Sequence, residues 1–299
     1  MSLTKRSIAT LAVMAMGALT VTGCAQNTEA GAAQDASPAP KVSKDTKLAA
    51  LVPASIRSRG VLKIATSPNY PPNEYIDSNG KITGWSVELT DAVAHKLGLK
   101  PDWVHSGFDQ ILSGLGTNTY DMGDSSFTDT KEREQTVDFV TYFQAGTLWA
   151  QREESSVDPN AACGLKIGVT YASIQETEEV PAKSDQCVAA GVSAIDKVVY
   201  TRQDDLTAAL IAGDVEAMAA DSPVTGFAIK LSGGQLAAAG EIVDTAPYGW
   251  PVAKGSRLAE SLRRALEHLM QTGEYKTIAT MWGVEKGMID KPVINGAIG

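Results

Sequence analysis

From residue 61 onward, apolar residues alternate between the two-residue period of a β-strand and the 3.6-residue period of an amphipathic helix. The pattern predicts strands at 61–66, 102–104 and 120–122, helices at 87–97 and 108–115, and a hairpin at 75–82. Asn79-Gly80 suits the hairpin turn, because both residues tolerate positive φ. Alternating strands and helices indicate an α/β fold built on a largely parallel sheet.

The same alternation restarts in the second half of the chain. It predicts strands at 165–169, 198–200 and 217–220, a helix beginning at 173–176 and a helix spanning 204–211. Two such blocks, 61–145 and 147–246, indicate two α/β lobes. Because ligands of open α/β sheets bind beyond the carboxyl ends of the strands, the following loops are expected to form a site: 67–73, 123–133, 170–176 and 221–223.

Residues 1–23 have the features of an export signal peptide. Lys5 and Arg6 precede an apolar stretch, 8–21, that is too short for a membrane-spanning helix. The next residues, Val-Thr-Gly-Cys24, resemble a bacterial lipobox, whose cysteine is lipidated and holds the protein at a membrane surface. A buried N-terminal helix is the alternative. Residues 24–52 contain few large apolar side chains, which predicts a flexible tether.

The composition is that of a globular protein with an acidic surface. The 299 residues are 43% apolar and 20% charged, enough for one large domain or two modest ones. The net charge is −9, and removal of Lys5 and Arg6 with the signal peptide makes the mature chain more acidic. This balance argues against a phosphate-neutralising nucleic-acid interface, although single residues can still bind an anion locally.

The chain has three cysteines, and lipidation of Cys24 leaves Cys163 and Cys187. An exported protein meets an oxidising environment, which favours a disulfide between them; two separate buried thiols are the alternative. No Walker or Gly-x-Ser-x-Gly motif is present, which argues against an ATPase or a serine hydrolase. The histidines lack the spacing of metal ligands: His95, His105 and His268.

Six segments, in order along the chain, carry a resemblance to a known family. They are 65–72 (ATSPNYPP), 84–89 (GWSVEL), 124–139 (DSSFTDTKEREQTVDF), 168–170 (GVT), 220–223 (ADSP) and 248–255 (YGWPVAKG). Together they resemble the extracellular solute-binding proteins, family 3, of polar amino acid ABC importers. The resemblance covers about residues 60–285.

The resemblance implies a type II periplasmic-binding fold, with two mixed sheets flanked by helices and joined by two hinge strands. The chain would cross between the lobes at 144–148 and return at 244–248. Lobe 1 would then comprise 53–145 and 247–285, completed by C-terminal helices at 256–270 and 275–281. Lobe 2 would comprise 146–246, and a C-terminal tail would follow at 286–299.

The implied function is that of a monomeric, lipid-anchored binding component on the outer face of the cell membrane. It would capture an amino acid between closing lobes and deliver it to a membrane permease, without a cofactor or metal and without catalysis. Two alternatives use the same fold. One is an exported, cyclohexadienyl dehydratase-like enzyme with Asp221 or Glu74 as general acid, which the lack of a second recognisable pocket acid disfavours. The other is a ligand-sensing lipoprotein.

The resemblance also assigns residues to an amino acid head group. Arg133 would bind the carboxylate, because a guanidinium offers a planar bidentate fork. Asp221 would bind the ammonium, and Ser126 and Thr128 would add further contacts. The alternatives are a solvated helix face for Arg133 and helix capping for the other three residues.

Two further pairs complete the predicted site. Tyr70 and Trp85 correspond to aromatic positions that enclose the ligand's aliphatic part, with ordinary core packing as the alternative. Ser173 and Gln175 begin a helix whose backbone N–H groups could complete the carboxylate site.

Three residues depart from the family pattern near the expected side-chain end of the pocket: Ser67 in place of an acid, Asn73 in place of an aromatic residue and Ile174 in place of a small one. They indicate a roomy pocket without a fixed charge. The sequence therefore favours a neutral polar ligand such as glutamine.

Overall fold

A computed structural model describes residues 40–298 of the chain. The predicted signal peptide, Cys24 and the tether before residue 40 lie outside the described residues. Within 40–298, no helix combines the length and apolar character needed to cross a membrane.

The strands belong to two sheets. In chain order they are β1 (Val61–Thr66), β2 (Asn69–Tyr70), β3 (Glu74–Ile76), β4 (Ile82–Thr83), β5 (Lys100–His105), β6 (Met122–Gly123), β7 (Val137–Arg152), β8 (Lys166–Thr170), β9 (Asp196–Tyr200), β10 (Ala217–Asp221) and β11 (Leu236–Ala253). The large sheet has eight strands in the order β5-β1-β6-β11-β7-β10-β8-β9, and β2, β3 and β4 form a small one. The predicted hairpin is confirmed as β3 and β4.

The long strands β7 and β11 lie in the middle of the large sheet. On one side lies the first strand group, β1, β5 and β6, and on the other the second strand group, β8, β9 and β10; neighbours within each group are parallel. We predicted two sheets, but β7 and β11 pair antiparallel from Leu236↔Arg152 to Ala253↔Val137 and join both groups into one mixed sheet. The predicted α/β class is confirmed.

Helices cover both faces of this sheet. They are α1 (Thr46–Leu51), α2 (Ala54–Arg59), α3 (Trp85–Lys96), α4 (Phe108–Gly116), α5 (Val180–Ala189), α6 (Gln203–Ala212), α7 (Ser222–Leu231), α8 (Leu258–Thr272) and α9 (Glu274–Trp282). Each strand group has an apolar cluster on both faces. The C-terminal helices contribute Leu262 and Ile278 to the cluster around Leu62 and Ile64, so the end of the chain completes the core of the first strand group.

The last part of the predicted tether is ordered, which corrects the expectation of a flexible segment up to residue 52. Asp45 caps α1 by accepting hydrogen bonds from Lys47 N and Leu48 N. Ala49 and Val52 are buried, and Val52 belongs to the same core cluster as α8. The few apolar side chains of this segment are enough to dock one helical turn and a half against α8.

The predicted crossing segments both lie within the long strands. Residues 144–148 are part of β7 and 244–248 are part of β11. Their pairing is irregular, with register shifts between Ala239 and Val243, between Val243 and Ala246, and between Tyr248 and Gly249. Regular ladder bonds are therefore interrupted where the two strand groups meet.

The disulfide between Cys163 and Cys187 is confirmed, with the two Cα atoms 5.6 Å apart. It ties the segment before β8 to α5 within the second strand group's core.

Candidate functional site

A cavity of about 330 Å³ lies at the carboxyl ends of the parallel strands. Loops after β1, β5 and β6 line one wall, and loops after β8, β9 and β10 line the other. This is the place expected for a ligand site on an open α/β sheet. Most of the predicted site residues line it: Ser67, Tyr70, Ser126, Thr128, Arg133, Ser173, Gln175 and Asp221.

Trp85 does not line the cavity, which corrects its predicted ligand contact. It begins α3, is only 1% exposed, and its ring centroid lies 4.4 Å from that of Phe143 in the core. Its indole N–H donates to Asn73 Oδ1 at 2.6 Å. Asn73 is itself buried and outside the lining residues, so its expected place at the side-chain end of the pocket is also wrong.

Phe108 supplies an aromatic cavity residue that the sequence argument missed. Its ring stacks on Phe127 with centroids 4.3 Å apart. The Arg133 guanidinium carbon lies 5.7 Å from the Phe108 centroid and 5.6 Å from that of Phe127. The loop after β5 obeys the same carboxyl-end rule as the loops we named, so the signal was present. Applied to β5 and β9, that rule also identifies the lining residues Thr201 and Arg202.

Arg133 is held in the cavity wall and does not lie on a solvated helix face. Its Nη1 donates to the Thr128 carbonyl at 2.9 Å, and its backbone N–H donates to Thr130 Oγ1 at 3.2 Å. Burial lowers the pKa of the guanidinium, while the carboxylates of Glu178 and Asp221 oppose that shift. The group remains a cation in a partly desolvated site, where an anionic partner is bound strongly.

Ser126 lies at the turn that directs this loop towards the cavity. Its φ of 51° is in the left-handed region, which few non-glycine residues adopt and which is frequent at ligand-contacting turns. Its hydroxyl accepts from Asn73 Nδ2 at 2.8 Å and donates to Glu74 Oε2 at 3.1 Å. The hydroxyl therefore does not cap a helix; it connects the loop to β3.

Asp221 ends β10 with its carboxylate pointing into a set of donors. Tyr248 Oη donates to Oδ2 at 2.6 Å and Gln175 Nε2 donates to Oδ1 at 2.9 Å. Although Asp221 occupies the N-cap position of α7, its side chain makes no capping hydrogen bond, so the capping alternative is wrong. Burial raises the pKa of Asp221, and the bonds from Tyr248 and Gln175 partly offset that rise.

Ser173 and Gln175 contact other protein groups around the cavity. Ser173 donates from its N–H and its hydroxyl to the Thr170 carbonyl, at 3.2 Å and 2.7 Å. Gln175 is buried and its amide also donates to Thr147 Oγ1 at 2.8 Å. Gln175 therefore orients Asp221 from the second strand group.

Glu74, named from the sequence only as a general acid of the dehydratase-like alternative, lines the cavity together with Asp221, so the expected lack of a second pocket acid is wrong. It is fully buried, and its Oε2 accepts from Ser86 Oγ at 2.9 Å as well as from Ser126. Its Oε1 is buried and has no hydrogen-bond partner within residues 40–298. An unsatisfied buried carboxylate oxygen is costly, so a hydrogen-bond donor that reached this atom would be favourable.

A second acid, Asp124, lies behind Glu74 in the protein interior. Thr90 Oγ1 donates to its Oδ2 at 2.6 Å, and Ser86 Oγ lies 3.1 Å from its Oδ1. Burial raises the pKa of Asp124 to about 7. Burial, reinforced by Asp124, raises the pKa of Glu74 well above its ordinary value. The pair therefore tends to retain a proton near neutral pH unless a cation approaches Glu74.

Comparison with known proteins identifies the family. Residues 62–285 match the bacterial extracellular solute-binding proteins, family 3. This chain belongs to that family. The match confirms the resemblance carried by the six segments, and it ends before the C-terminal tail.

Several relatives of this family 3 protein have named ligands. The arginine-binding protein ArgT of Corynebacterium glutamicum is 35% identical over 298 residues, covering 97% of this chain and 96% of ArgT. The solved structure of an ancestral arginine-binding protein bound to arginine gives a TM-score of 0.68 at 29% identity, covering 75% of this chain and 98% of that one. The structure of an ancestral arginine-binding protein bound to glutamine gives a TM-score of 0.66 at 31% identity, and the match covers 76% of this chain and 99% of that one.

Proposed function

We propose that this family 3 protein is the substrate-binding component of an ABC importer and that it captures arginine or a closely related cationic amino acid. The observation that carries the proposal is the presence of Glu74 in the same cavity as Arg133 and Asp221. A cationic amino acid has one anionic and two cationic groups. The cavity lining has three acids, Glu74, Asp109 and Asp221, against two arginines, Arg133 and Arg202, so its net charge is complementary to a ligand with one net positive charge.

The head group would be bound by residues from both walls. Arg133 comes from the loop after β6, and Asp221 comes from the end of β10. Arg133 suits a carboxylate because its guanidinium can donate two parallel hydrogen bonds. Asp221 suits an ammonium because its carboxylate is buried and already fixed in orientation by Tyr248 and Gln175. Binding of one head group would therefore hold the two walls together.

The side chain would be bound at the Glu74 end. The guanidinium of arginine could donate to Glu74 Oε1, the buried acceptor without a partner in the described part of the chain. Tyr70 and Phe108 line the same cavity and present aromatic surface to a planar cation. The departures from the family pattern at Ser67, Asn73 and Ile174 favour glutamine, because they place no fixed charge in the pocket. Glu74 supplies that charge and moves the proposal to arginine.

The relatives support this choice of ligand class. The names of ArgT and of the arginine-bound ancestral protein both refer to arginine. The glutamine-bound ancestral structure keeps a neutral polar amino acid as the second candidate. A neutral side chain would fit Glu74 best when that residue is protonated.

Capture would proceed by closure of the two strand groups, which act as the two lobes of the predicted domain division. Two of the three register shifts in β11 lie opposite residues 145–149 of β7, and they favour bending at this place. Closure would bring Asp221 and Arg133 onto one ligand and shield both from water. The protein would then deliver the ligand to a membrane permease without chemical conversion.

The proposal includes export and anchoring. The chain would be exported by residues 1–23, lipidated at Cys24 and held as a monomer at the outer face of the membrane, on a tether that ends before α1. The family's description as extracellular and the Cys163–Cys187 disulfide are consistent with an oxidising location.

Titration calorimetry with arginine, citrulline and glutamine tests the ligand class. Citrulline has nearly the shape of arginine but a neutral urea group, so it isolates the charge. We expect arginine to bind at least about tenfold more tightly than citrulline, since hydrogen bonds to a charged group contribute about 1.5–3 kcal/mol. Equal or tighter binding of citrulline or glutamine would overturn the cationic assignment. If no amino acid binds, turnover of hydroxylated cyclic acids would favour the dehydratase-like alternative.

A further inference from the structure

The C-terminal segment returns to the binding site after the last helix. Tyr275 Oη donates to the Tyr142 carbonyl at 2.8 Å and accepts from the Ile289 N–H at 3.1 Å, which fixes the start of this segment. Residues 293–297, called here the C-terminal strap, then run along the edge of β7 that does not face β11. The Thr141 N–H donates to the Val293 carbonyl, and the Val293 N–H donates to Thr141 Oγ1, both at 2.9 Å.

Asn295 is the residue that attaches the strap most closely. Its N–H donates to the Phe139 carbonyl at 3.0 Å, and its Oδ1 accepts from the Phe139 N–H at 2.9 Å. Its Nδ2 donates to Asp138 Oδ1 at 2.9 Å. Its φ of 58° is in the left-handed region, which asparagine tolerates better than other non-glycine residues. One side chain therefore closes the sheet edge and turns the chain.

Beyond this turn, the strap contacts the loop that carries Arg133. The Gly296 N–H donates to Asp129 Oδ2 at 2.7 Å, and the Ala297 N–H donates to Glu134 Oε1 at 3.0 Å. Burial raises the pKa of Asp129 to about 7, and the hydrogen bond from Gly296 opposes that rise. Asp129 and Glu134 lie on either side of Arg133, so both ends of its loop are tied to the strap.

The other side of this loop is bound to β11. The Asp129 N–H donates to the Pro247 carbonyl at 2.8 Å, and the Gly249 N–H donates to the Phe127 carbonyl at 2.9 Å. The loop is therefore held between the second long strand and the strap. The strap lies beyond the family match, which ends at residue 285, so this support is additional to the matched fold.

We propose that the C-terminal strap is a positioning element of the binding site, in which Asn295, Gly296 and Ala297 hold the loop that presents Arg133 and Thr128 to the ligand. A preorganised loop loses less conformational freedom on binding, so the strap would raise affinity without touching the ligand. The inference about affinity rests on the proposed function. The inference about loop order does not.

The test compares full-length protein with a chain that ends at Pro292, and uses a chain that ends at Ile298 as the matched control. Hydrogen exchange is measured at the amides of Glu134, Gln135 and Thr136, whose hydrogen bonds to Thr130, Glu132 and Arg133 carbonyls report the order of the loop. Without the strap we expect these amides to exchange at least about tenfold faster. The dissociation constant for arginine should rise about fivefold or more.

A second pair of variants keeps the proposal testable if the shortened chain does not fold. Asn295→Ala removes two side-chain hydrogen bonds, and Ile294→Ala changes the exposed neighbouring residue as its control. Asn295→Ala should raise exchange at 134–136 and weaken arginine binding, whereas Ile294→Ala should do neither.

The two readouts separate positioning from mere stabilisation. A strap that only stabilises the fold would lower the melting temperature but leave exchange at 134–136 and arginine affinity like those of the control, and this result would overturn the proposal. If the unaltered protein does not bind arginine, the proposed ligand is wrong, and the exchange measurement alone decides whether the strap orders the loop.

Discussion

The cavity holds its charged groups in two different ways. Arg133 and Asp221 come from opposite walls, and each is fixed by uncharged donors or acceptors such as the Thr128 carbonyl and Tyr248. Glu74 lies beside the Ser126 turn and in front of a second buried acid, Asp124. Under the proposed function, the first two residues would bind the zwitterion that all amino acids share, whereas Glu74 would contribute a charge that depends on its protonation.

This difference separates general binding from ligand choice. Every α-amino acid presents the same carboxylate and ammonium, so under the proposed function Arg133 and Asp221 would contribute equally to all of them. Glu74 would meet the part of the ligand that varies. Changes at Arg133 and at Glu74 should therefore give different patterns across arginine, citrulline and glutamine.

The largest expected effect is from Arg133→Ala. The loss of a buried, hydrogen-bonded charge partner costs about 2–5 kcal/mol, so arginine, citrulline and glutamine should each bind at least about thirtyfold more weakly. Arg133→Lys keeps the charge without the bidentate fork, so its affinities should lie between those of the unaltered protein and of Arg133→Ala. Calorimetric titration measures the affinities, and thermal unfolding shows whether the variant is folded. Normal binding by folded Arg133→Ala would remove Arg133 from the site.

Glu74→Gln should produce a selective loss. Arginine should bind about tenfold to one hundredfold more weakly, since a charged acceptor is replaced by a neutral amide, while citrulline should change by less than about threefold. Glu88→Gln is a matched control, because Glu88 accepts from Trp282 Nε1 and does not line the cavity. Equal losses of affinity for arginine and citrulline would show that Glu74 supports the fold and does not bind the charged side chain of the ligand.

The pH dependence should differ between ligands in the same way. Burial and Asp124 raise the pKa of Glu74 in the free protein, and a cationic ligand favours its charged form. Protons therefore compete with arginine, whose affinity should fall as the pH is lowered and Glu74 takes up a proton. Citrulline affinity should change less, because citrulline places no cation beside Glu74. Titrations in buffers of different ionisation enthalpy should show more proton release with arginine than with citrulline.

The free protein should show the opposite trend in stability. Acids whose pKa values are raised by folding retain protons that the unfolded chain has released, so they stabilise the fold at low pH and this contribution is lost as the pH rises through 7. The melting temperature of the free protein should therefore decline as the pH rises to 7. The melting temperature of Glu74→Gln should decline less over the same range. An equal decline would show that Glu74 does not contribute to this pH dependence of stability.

The smallest effects are expected from the aromatic residues. Phe108→Ala should weaken arginine binding about twofold to tenfold by removing aromatic surface beside the cation. Trp85→Phe should leave affinity within about twofold, but it leaves Asn73 Oδ1 without its indole donor and should lower stability by about 1–3 kcal/mol. Titration measures arginine affinity, and chemical denaturation measures stability, for both variants. If Trp85→Phe binds arginine poorly and Phe108→Ala does not, Trp85 is the ligand contact and Phe108 is not.

Much of the fold could be predicted because it depends on local pattern. The strands at 61–66 and 217–220 and the helix at 108–115 were predicted close to their observed bounds. The third predicted strand, 120–122, is observed later, at Met122–Gly123, since Tyr120 packs its ring into the cluster around α4. The continuity of the sheet could not be predicted, because it depends on how two strands far apart in sequence pair along their whole length.

Part of the candidate site could be predicted from local sequence, and part could not. Arg133, Ser126 and Asp221 lie in contiguous segments that follow strands, so residue type and position together indicated that they line the cavity. Trp85 was misassigned because an aromatic residue at the start of a helix can face either the cavity or the core, and only packing against Phe143 decides between them.

The sequence by itself determined the α/β class, the family and the candidate head-group residues, because these depend on periodicity and on short runs of neighbouring residues. The tertiary structure decided which further acid lines the cavity beside them. Glu74 becomes a ligand candidate only when β3 is placed beside the Ser126 turn and in front of Asp124, residues about fifty positions away. Burial then raises its pKa, and that cost exists only once the surrounding chain has excluded water.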